Sequence, residues 1–270
     1  MDEAGESQVV DGVRSQIAGD LLKVGVRRGG VVLVHSSLKS LADGGILPGG
    51  PETLVSGLLE SLGPDGTLLM PALSFALVGP AHPVFDVART PSCVGAVSEH
   101  FRTRCGTRRS IHPTHSVCGV GPRAAAMLGE HHLDQTPCGQ HSPYRKLRDV
   151  GGQIVMIGCT IGPNTSMHGV EELIEPPYLF RPEPVVYRVI RGDGSQMSVT
   201  CRAHNFHGYA IHFERVGNLL AGDELRCGRV LQAAAYVIEA RAMWRKAEAA
   251  IRENPLLFVD RLRGCDHIHR

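Results

Sequence analysis

Short apolar runs alternate with amphipathic segments through the first two thirds of the chain. Residues 31–35 (VVLVH) form a β-branched run that opens into a Gly-rich stretch, which predicts a buried strand followed by a loop. In residues 51–62, leucines recur on one helical face after Pro51, and residues 67–75 (TLLMPALSF) predict a second strand. This strand–helix–strand order favours an α/β fold with helices packed on a sheet.

The same alternation continues to about residue 175 and then changes. Further helices are predicted at 94–104, 122–132, 142–149 and 165–175, and further strands at 114–120 and 153–158. The runs 184–190 and 195–203, joined by RGDG, predict an antiparallel hairpin, and the Ala-, Arg- and Glu-rich residues 228–253 predict a long terminal helix. We therefore expect one α/β domain over residues 1–270. Its central mixed β-sheet is flanked by helices, with an antiparallel extension near the C-terminal third.

Composition narrows the class of protein further. The chain has 28 basic and 27 acidic side chains, so no overall field favours nucleic acid or an anionic membrane as a partner. Its first ten residues are acidic and polar, and no run approaches the roughly 18 apolar residues of a membrane span. We expect a cytoplasmic protein. The eight cysteines include no CxxC pair, which favours reduced, mostly buried thiols.

The segment NTSMHGVEE, residues 164–172, carries the most chemistry. It follows a predicted strand and opens a predicted helix, where active-site groups collect in α/β proteins, and Asn164 or Thr165 can cap that helix. His168 and Glu171 are three residues apart and share a helix face, so the carboxylate can orient the imidazole while its second nitrogen stays free. This spacing alone favours a surface hydrogen-bonded pair.

Five ordered segments give this pair a context: VLVHSSLKSL, GGPETLVSGLLESLGPDGTLLMPALSF, RTPSCVGAVSEHFR, RRSIHPTHSV and NTSMHGVEE. Together they resemble the aminoglycoside 3-N-acetyltransferase family of antibiotic N-acetyltransferases over roughly residues 20–260. The resemblance implies direct transfer of an acetyl group from acetyl-CoA to the 3-amino group of a 2-deoxystreptamine aminoglycoside, with no covalent enzyme intermediate and a role in resistance. His168 matches the family's catalytic histidine, and Glu171 matches its acidic partner. A base near neutral pKa suits the deprotonation of an attacking amine.

The resemblance also implies which segments line the coenzyme. Five residues of the HSS and RSxHP segments are carried over as coenzyme-binding: His35, Ser36, Ser37, Ser110 and His112. Backbone amides or hydroxyls of the HSSL loop can stabilise the oxyanion of acyl transfer. Three nearby arginines, Arg104, Arg108 and Arg109, fit either the phosphates of coenzyme A or a solvated charged turn.

The residues that recognise the acceptor are harder to identify from the sequence than those that bind the coenzyme. A polycationic aminoglycoside calls for carboxylates, and the candidates are Asp86, Glu171 and Glu172. Glu172 is expected to point about 100° away from Glu171 on a helix, so the two should not face one ligand. The loop 76–91 contains few acidic residues. The acceptor therefore stays open between an aminoglycoside and another amine.

A second histidine-rich segment, CRAHNFHGYAIH, raises the question of a metal. Its candidate ligands are Cys201, His204, His207 and His212. Their spacing matches no common zinc pattern, and in a strand Cys201 and His204 would face opposite sides, so no metal is expected. A metal-dependent hydrolase and a non-catalytic binder remain the alternatives from other classes. GxxxxGK[ST], GxSxG and HExxH are absent, and the chain is expected to be a monomer or a homodimer.

Overall fold

The structure, a computed structural model, describes residues 3–42 and 46–262. Its helices are α1 (Glu3–Val24), α2 (Leu38–Leu41), α3 (Gly50–Leu62), α4 (Ala96–Thr103), α5 (Ala124–Leu128), α6 (Pro143–Asp149), α7 (Ser166–Ile174) and α8 (Ala240–Glu253). Its strands are β1 (Val31–Ser36), β2 (Thr67–Pro71), β3 (Val84–Asp86), β4 (Arg108–Arg109), β5 (Val117–Val120), β6 (Gln153–Ile157), β7 (Val185–Ile190), β8 (Gln196–Cys201), β9 (Tyr209–Ile211), β10 (Leu225–Val230), β11 (Ala233–Glu239) and β12 (Val259–Arg261).

A seven-stranded sheet in the order β10-β11-β6-β1-β2-β5-β4 forms the centre of the molecule. β1 pairs in parallel with both β2 and β6, while β5 and β11 join antiparallel on the outside of these three strands. Leu33 marks the register, opposite Leu69 on one side and Ile154 on the other. The predicted mixed sheet flanked by helices is confirmed.

Helices cover both faces of this sheet, which explains why its parallel strands read as uninterrupted apolar runs. On one face, α1 and α3 bury Ile17 and Leu58 against Val32 of β1. On the other face, α6, α7 and α8 pack with Leu33, and Trp244 of α8 is among the largest fully buried side chains. The central strands therefore present their carboxyl ends at one fixed edge of the sheet.

A separate three-stranded sheet, ordered β3-β7-β8, supplies the predicted extension. The hairpin of β7 and β8 is antiparallel as expected, with Ile190 opposite Gln196 at its turn, and β3 adds in parallel. Phe85 and Tyr187 fill its own small core. After β8 the chain returns toward the main sheet through residues 202–212, which carry the histidine-rich segment.

Two predicted helices have different bounds in the structure, and one helix of the structure is not predicted. The predicted helix 228–253 begins only at Ala240, because residues 233–239 alternate between buried and exposed positions and form β11, which pairs with β6 and β10. The predicted helix 122–132 divides into α5 and a separate 3₁₀ turn at His131–Leu133. Helix α1 is not predicted from the sequence, since its charged residues surround a narrow apolar stripe that packs on α3.

Two further expectations concern membranes and thiols. Within the described ranges, no helix is long and apolar enough to cross a membrane. The seven cysteines of those ranges are free, and Cys265 lies outside the described residues. Four of the seven, including Cys93 and Cys159, are only partly buried or exposed, so the predicted burial holds for three: Cys118, Cys138 and Cys201.

Candidate active site

The carboxyl ends of β1, β2 and β6 open into a cavity of about 550 Å³, called here the strand-end cavity. Its walls include His35, Ser36, Leu73, Asn164, Thr165 and His168. This is the edge of a parallel sheet at which α/β proteins bind ligands. The loop that leaves β6 leads directly into α7, which places the first turn of that helix in the cavity wall.

Helix α7 is held firmly in this position. The side chain of Asn164, fully buried, accepts a hydrogen bond from the Ser166 amide at 3.1 Å, whereas the Thr165 side chain makes no capping bond. Trp244 Nε1 donates to Ser166 Oγ at 2.9 Å, and the same indole lies against Gly169. The position of His168 is therefore set by packing on α8 as well as by its own helix.

His168 and Glu171 form the expected pair. His168 Nδ1 lies 3.1 Å from Glu171 Oε2, and the Glu171 side chain is fully buried. Tyr178 donates its hydroxyl to the other carboxylate oxygen at 2.8 Å. With Nδ1–H directed at the carboxylate, Nε2 carries the free lone pair, and 14% of the imidazole side chain remains exposed. The arrangement can accept a proton at Nε2 and stabilise the resulting imidazolium.

Tyr178 and the rings around His168 are not indicated by the sequence. Tyr178 lies beyond the end of α7, and burial raises the pKa of its hydroxyl, which keeps it a donor to Glu171. Phe206 and Phe213 pack on the imidazole with ring centroids 5.2 and 4.9 Å away. These contacts come from distant parts of the chain, and no local spacing signals them.

A second cavity of about 390 Å³, called here the histidine cavity, adjoins His168. His115 and His204 line it together with Phe75, Arg181 and Tyr187. His168 belongs to the walls of both cavities. A group bound in either cavity can thus approach the same imidazole.

Glu172 takes part in a second histidine–carboxylate pair rather than facing either cavity. Its Oε1 lies 2.7 Å from His204 Nε2 and also accepts the Cys138 amide at 2.9 Å. Burial raises the pKa of Glu172 to about 7 and holds the pKa of His204 well below its usual value. The sequence predicts that Glu171 and Glu172 point in different directions, and in the structure they bind different histidines.

The residues assigned to the coenzyme fall into two groups. His35 and Ser36 line the strand-end cavity, and burial lowers the pKa of His35 to about 4, so this imidazole is neutral at pH 7. Ser37 follows them: its amide donates to the Ile157 carbonyl, and its hydroxyl accepts from Ser40. His35 and Ser36 end β1 and Ser37 follows it, so all three lie in the segment expected to bind the donor.

Ser110 and His112 are fully buried. Ser110 Oγ lies 2.9 Å from His131 Nδ1, and His112 Nδ1 accepts the His115 amide at 3.0 Å. Their described contacts hold the segment that presents His115, and neither lines the two cavities. Direct contact of this pair with coenzyme A stays a prediction.

The remaining candidates lie apart from the pair. Asp86 Oδ1 caps its own turn by accepting the amides of Ala88 and Arg89, both at 2.9 Å. Arg104 binds Glu52 at 3.0 Å, and Arg109 donates to the carbonyls of Ala72 and Thr90, so these arginines form no common cluster.

The predicted metal candidates are also dispersed. Cys201 Sγ contacts His112 Nε2 at 3.3 Å, and His212 binds Glu214 at 2.9 Å. His207 lines a separate surface cavity. His204 lies beside two other histidines: its nearest ring neighbours are His168 and His115, with centroids 4.8 and 5.1 Å away.

Comparison with known proteins identifies the class to which this fold and site belong. Residues 33–252 match the family model described as aminoglycoside 3-N-acetyltransferase. The chain belongs to this family, as the sequence resemblance predicted.

One relative and two solved structures illustrate the likeness. The aminoglycoside N(3)-acetyltransferase IV from Salmonella sp is 34% identical over 61% of this chain, an alignment that spans 60% of the relative's length. A structure of aminoglycoside acetyltransferase AAC(3)-IVa in complex with a gentamicin has a TM-score of 0.76 and 29% identity, covering 91% of this chain and 90% of that one. The AAC-IIIb binary complex with CoASH has a TM-score of 0.77 and 25% identity, covering 89% and 96%.

Proposed function

We propose that this protein is an aminoglycoside 3-N-acetyltransferase that uses acetyl-CoA as the donor and His168 as the general base. The observation that carries the proposal is the position of His168 in the shared wall of two cavities, with Nδ1 held by a buried carboxylate. Membership of the family supports the reaction. The gentamicin and CoASH complexes of related structures support the two substrates.

In this proposal the two cavities hold the two substrates. The thioester end of acetyl-CoA occupies the strand-end cavity beside His35 and Ser36, and the acceptor amine enters from the histidine cavity. The amine nitrogen bonds to the acetyl carbon as its proton moves to His168 Nε2, and the coenzyme leaves as the thiol or thiolate. The Glu171 carboxylate stabilises the imidazolium formed at that moment, and Tyr178 keeps the carboxylate in place.

A second candidate is acetyl transfer to an amine that is not a polycation. Among the described residues that line the two cavities there is no carboxylate, and Arg181 adds a positive charge to the histidine cavity. Glu171 and Glu172 lie behind histidines and are buried. A cation-rich aminoglycoside is better accommodated by open carboxylates. None of the relatives reported above supports the hydrolase alternative, and the cytoplasmic location and oligomeric state stay predictions.

Product analysis separates the candidates. The purified protein is incubated with acetyl-CoA and a panel of 2-deoxystreptamine aminoglycosides, and products are identified by mass spectrometry and by NMR assignment of the acetylated nitrogen. We expect a mono-acetylated product modified at the 3-amino group, with stoichiometric release of the coenzyme thiol. An aminoglycoside whose 3-amino group is already blocked serves as the control and should remain unmodified.

A parallel panel of singly charged and neutral amines tests the second candidate. Acetylation of these amines in preference to every aminoglycoside would replace the proposed acceptor while preserving the reaction. Absence of acetyl transfer to any amine, with coenzyme A bound, would contradict the proposed function.

A further inference from the structure

We propose that His115, His168 and His204 form a binding site for one divalent transition-metal ion, and that the bound ion removes His168 from its role as base. One ligand nitrogen from each of the three imidazoles lies within 4.8 Å of the others. In a tetrahedral zinc site, with Zn–N bonds near 2.0–2.1 Å, such nitrogens are separated by roughly 3.3 Å. Small side-chain rotations therefore suffice to close the site.

The strongest support for a metal site comes from imidazole nitrogens that have no hydrogen-bond partner among the described residues. His204 Nε2 is bound to Glu172 at 2.7 Å, while its Nδ1 is buried with no hydrogen-bond partner in the described chain. The His204 side chain is only 6% exposed. An unpartnered polar atom buried to this degree costs free energy unless a ligand binds it. A metal ion supplies that partner at the lone pair of a neutral imidazole.

Each of the other two histidines also binds a neighbouring group through one ring nitrogen. His168 binds Glu171 through Nδ1 at 3.1 Å and keeps Nε2 free, and His115 Nδ1 lies 2.9 Å from the Thr114 hydroxyl. Histidines that bind metals usually engage a carboxylate, carbonyl or hydroxyl through the second ring nitrogen. Here two of the three imidazoles have a buried carboxylate in that position. The hydrogen bonds that orient the histidines of a metal site are thus already present.

Access also favours binding. The histidine cavity, about 390 Å³ in volume, leads to all three rings. Three imidazoles with an open fourth position suit zinc, and also cobalt, nickel or copper.

The consequence for turnover rests on the proposed function, whereas the binding itself does not. A metal bound at His168 Nε2 occupies the lone pair that would accept the amine proton. Metal binding and base catalysis are then mutually exclusive. This sets the protein apart from a metal-dependent hydrolase, in which the ion would carry the reaction.

Direct binding of zinc tests the site. The full chain, free of any affinity tag and treated with chelator, is titrated with Zn²⁺ in competition with a chromophoric chelator, and with Co²⁺ to record the visible spectrum of a tetrahedral complex. We expect one ion per chain, and at least tenfold weaker binding by His204→Gln. His207→Gln, an exposed histidine outside the cluster, is the matched control and should bind as the unmodified chain does.

A second variant distinguishes loss of the metal site from misfolding of the protein. Glu172→Gln leaves all three ligands intact and should weaken zinc binding about ten- to a hundredfold through loss of the carboxylate on His204. Thermal unfolding of each variant shows that it is folded. Equal zinc affinity in the unmodified chain and in both variants would overturn the site, as would substoichiometric binding.

Activity is measured separately so that the two proposals can fail independently. Zinc at saturating concentration should abolish acetyl transfer by the unmodified chain, and chelator should restore it. Zinc bound by a protein that acetylates no amine would contradict the proposed function and leave the site intact. Acetyl transfer unaffected by one bound zinc would overturn the claim that the ion occupies His168.

Discussion

Two histidine–carboxylate pairs extend from consecutive residues of α7, and they differ in how they are built. His168 and Glu171 lie one turn apart on the same helix, and the imidazole keeps 14% of its surface exposed. Glu172 reaches His204, which is 32 residues away in sequence and only 6% exposed. The first pair presents the free nitrogen of His168 to two cavities, whereas in the second pair Glu172 is buried and only His204 lines a cavity, the histidine cavity. The two imidazoles therefore differ in access: His168 can meet groups in both cavities, and His204 only those in the histidine cavity.

Replacing the exposed histidine should have the largest effect. His168→Ala is expected to lower kcat by about a hundredfold or more, because no other described side chain that can accept a proton lies in both cavity walls. Steady-state kinetics with acetyl-CoA and the preferred amine measure this loss. Coenzyme A binding, followed by calorimetry, should be unchanged. Turnover equal to that of the unmodified protein would show that another group is the base.

Replacing the carboxylate of the same pair should have a smaller effect. Glu171→Gln is expected to lower kcat by about ten- to a hundredfold, because an amide cannot stabilise the imidazolium and can favour the wrong tautomer. Glu175→Gln is the control, since Glu175 is exposed, lies at the end of α7 and binds Arg202. A loss of the same size in the control would mean that the change acts through the helix and not through His168.

The contrast between the pairs also explains how much the sequence can predict. The pair His168–Glu171 depends on helical spacing, and the strands β1, β2 and β6 depend on apolar runs, so both follow from local pattern. His204 is recognisable from the sequence only as a metal candidate, because its contact with Glu172 depends on how the chain returns from β8. His115 lies in one of the family-like segments, yet no spacing relates it to His168.

The remaining differences have the same physical origin. The composition of residues 228–239 favours a helix, but pairing of Val237 with Val155 overrides that preference once β6 offers a free edge. The resemblance assigns Ser110 and His112 to the coenzyme. In the structure both residues are buried, because they pack against residues such as His131. Long-range packing decides these positions, and a single sequence contains little information about it.

The second pair, His204 and Glu172, should make the stability of the protein depend on pH. Burial raises the pKa of Glu172 from about 4.5 to about 7, so the folded protein binds this proton more tightly than the unfolded chain does. Its contribution to stability is therefore fully present below pH 4.5 and is lost as pH rises toward 7. Glu172→Gln, which mimics the protonated acid, should gain on the order of 2 kcal/mol relative to the unmodified protein between pH 5 and pH 8.

Urea unfolding at these two pH values measures that difference. Glu175→Gln again serves as the control, because its carboxylate is exposed and should give no such gain. A constant stability difference across the pH range would show that burial does not raise the pKa of Glu172.

The smallest effect is expected at the helix that carries both pairs. A Cβ added to Gly169 would press on the Trp244 ring, so Gly169→Ala should cost about 1 kcal/mol of stability after the gain in helix propensity. Because α7 positions Glu171 and Glu172 together, turnover and zinc affinity should both decline slightly. Gly192→Ala, which meets no atom within 4 Å, is the matched control for urea unfolding and kinetics. Loss of turnover with unchanged zinc affinity would show that the two pairs are positioned independently.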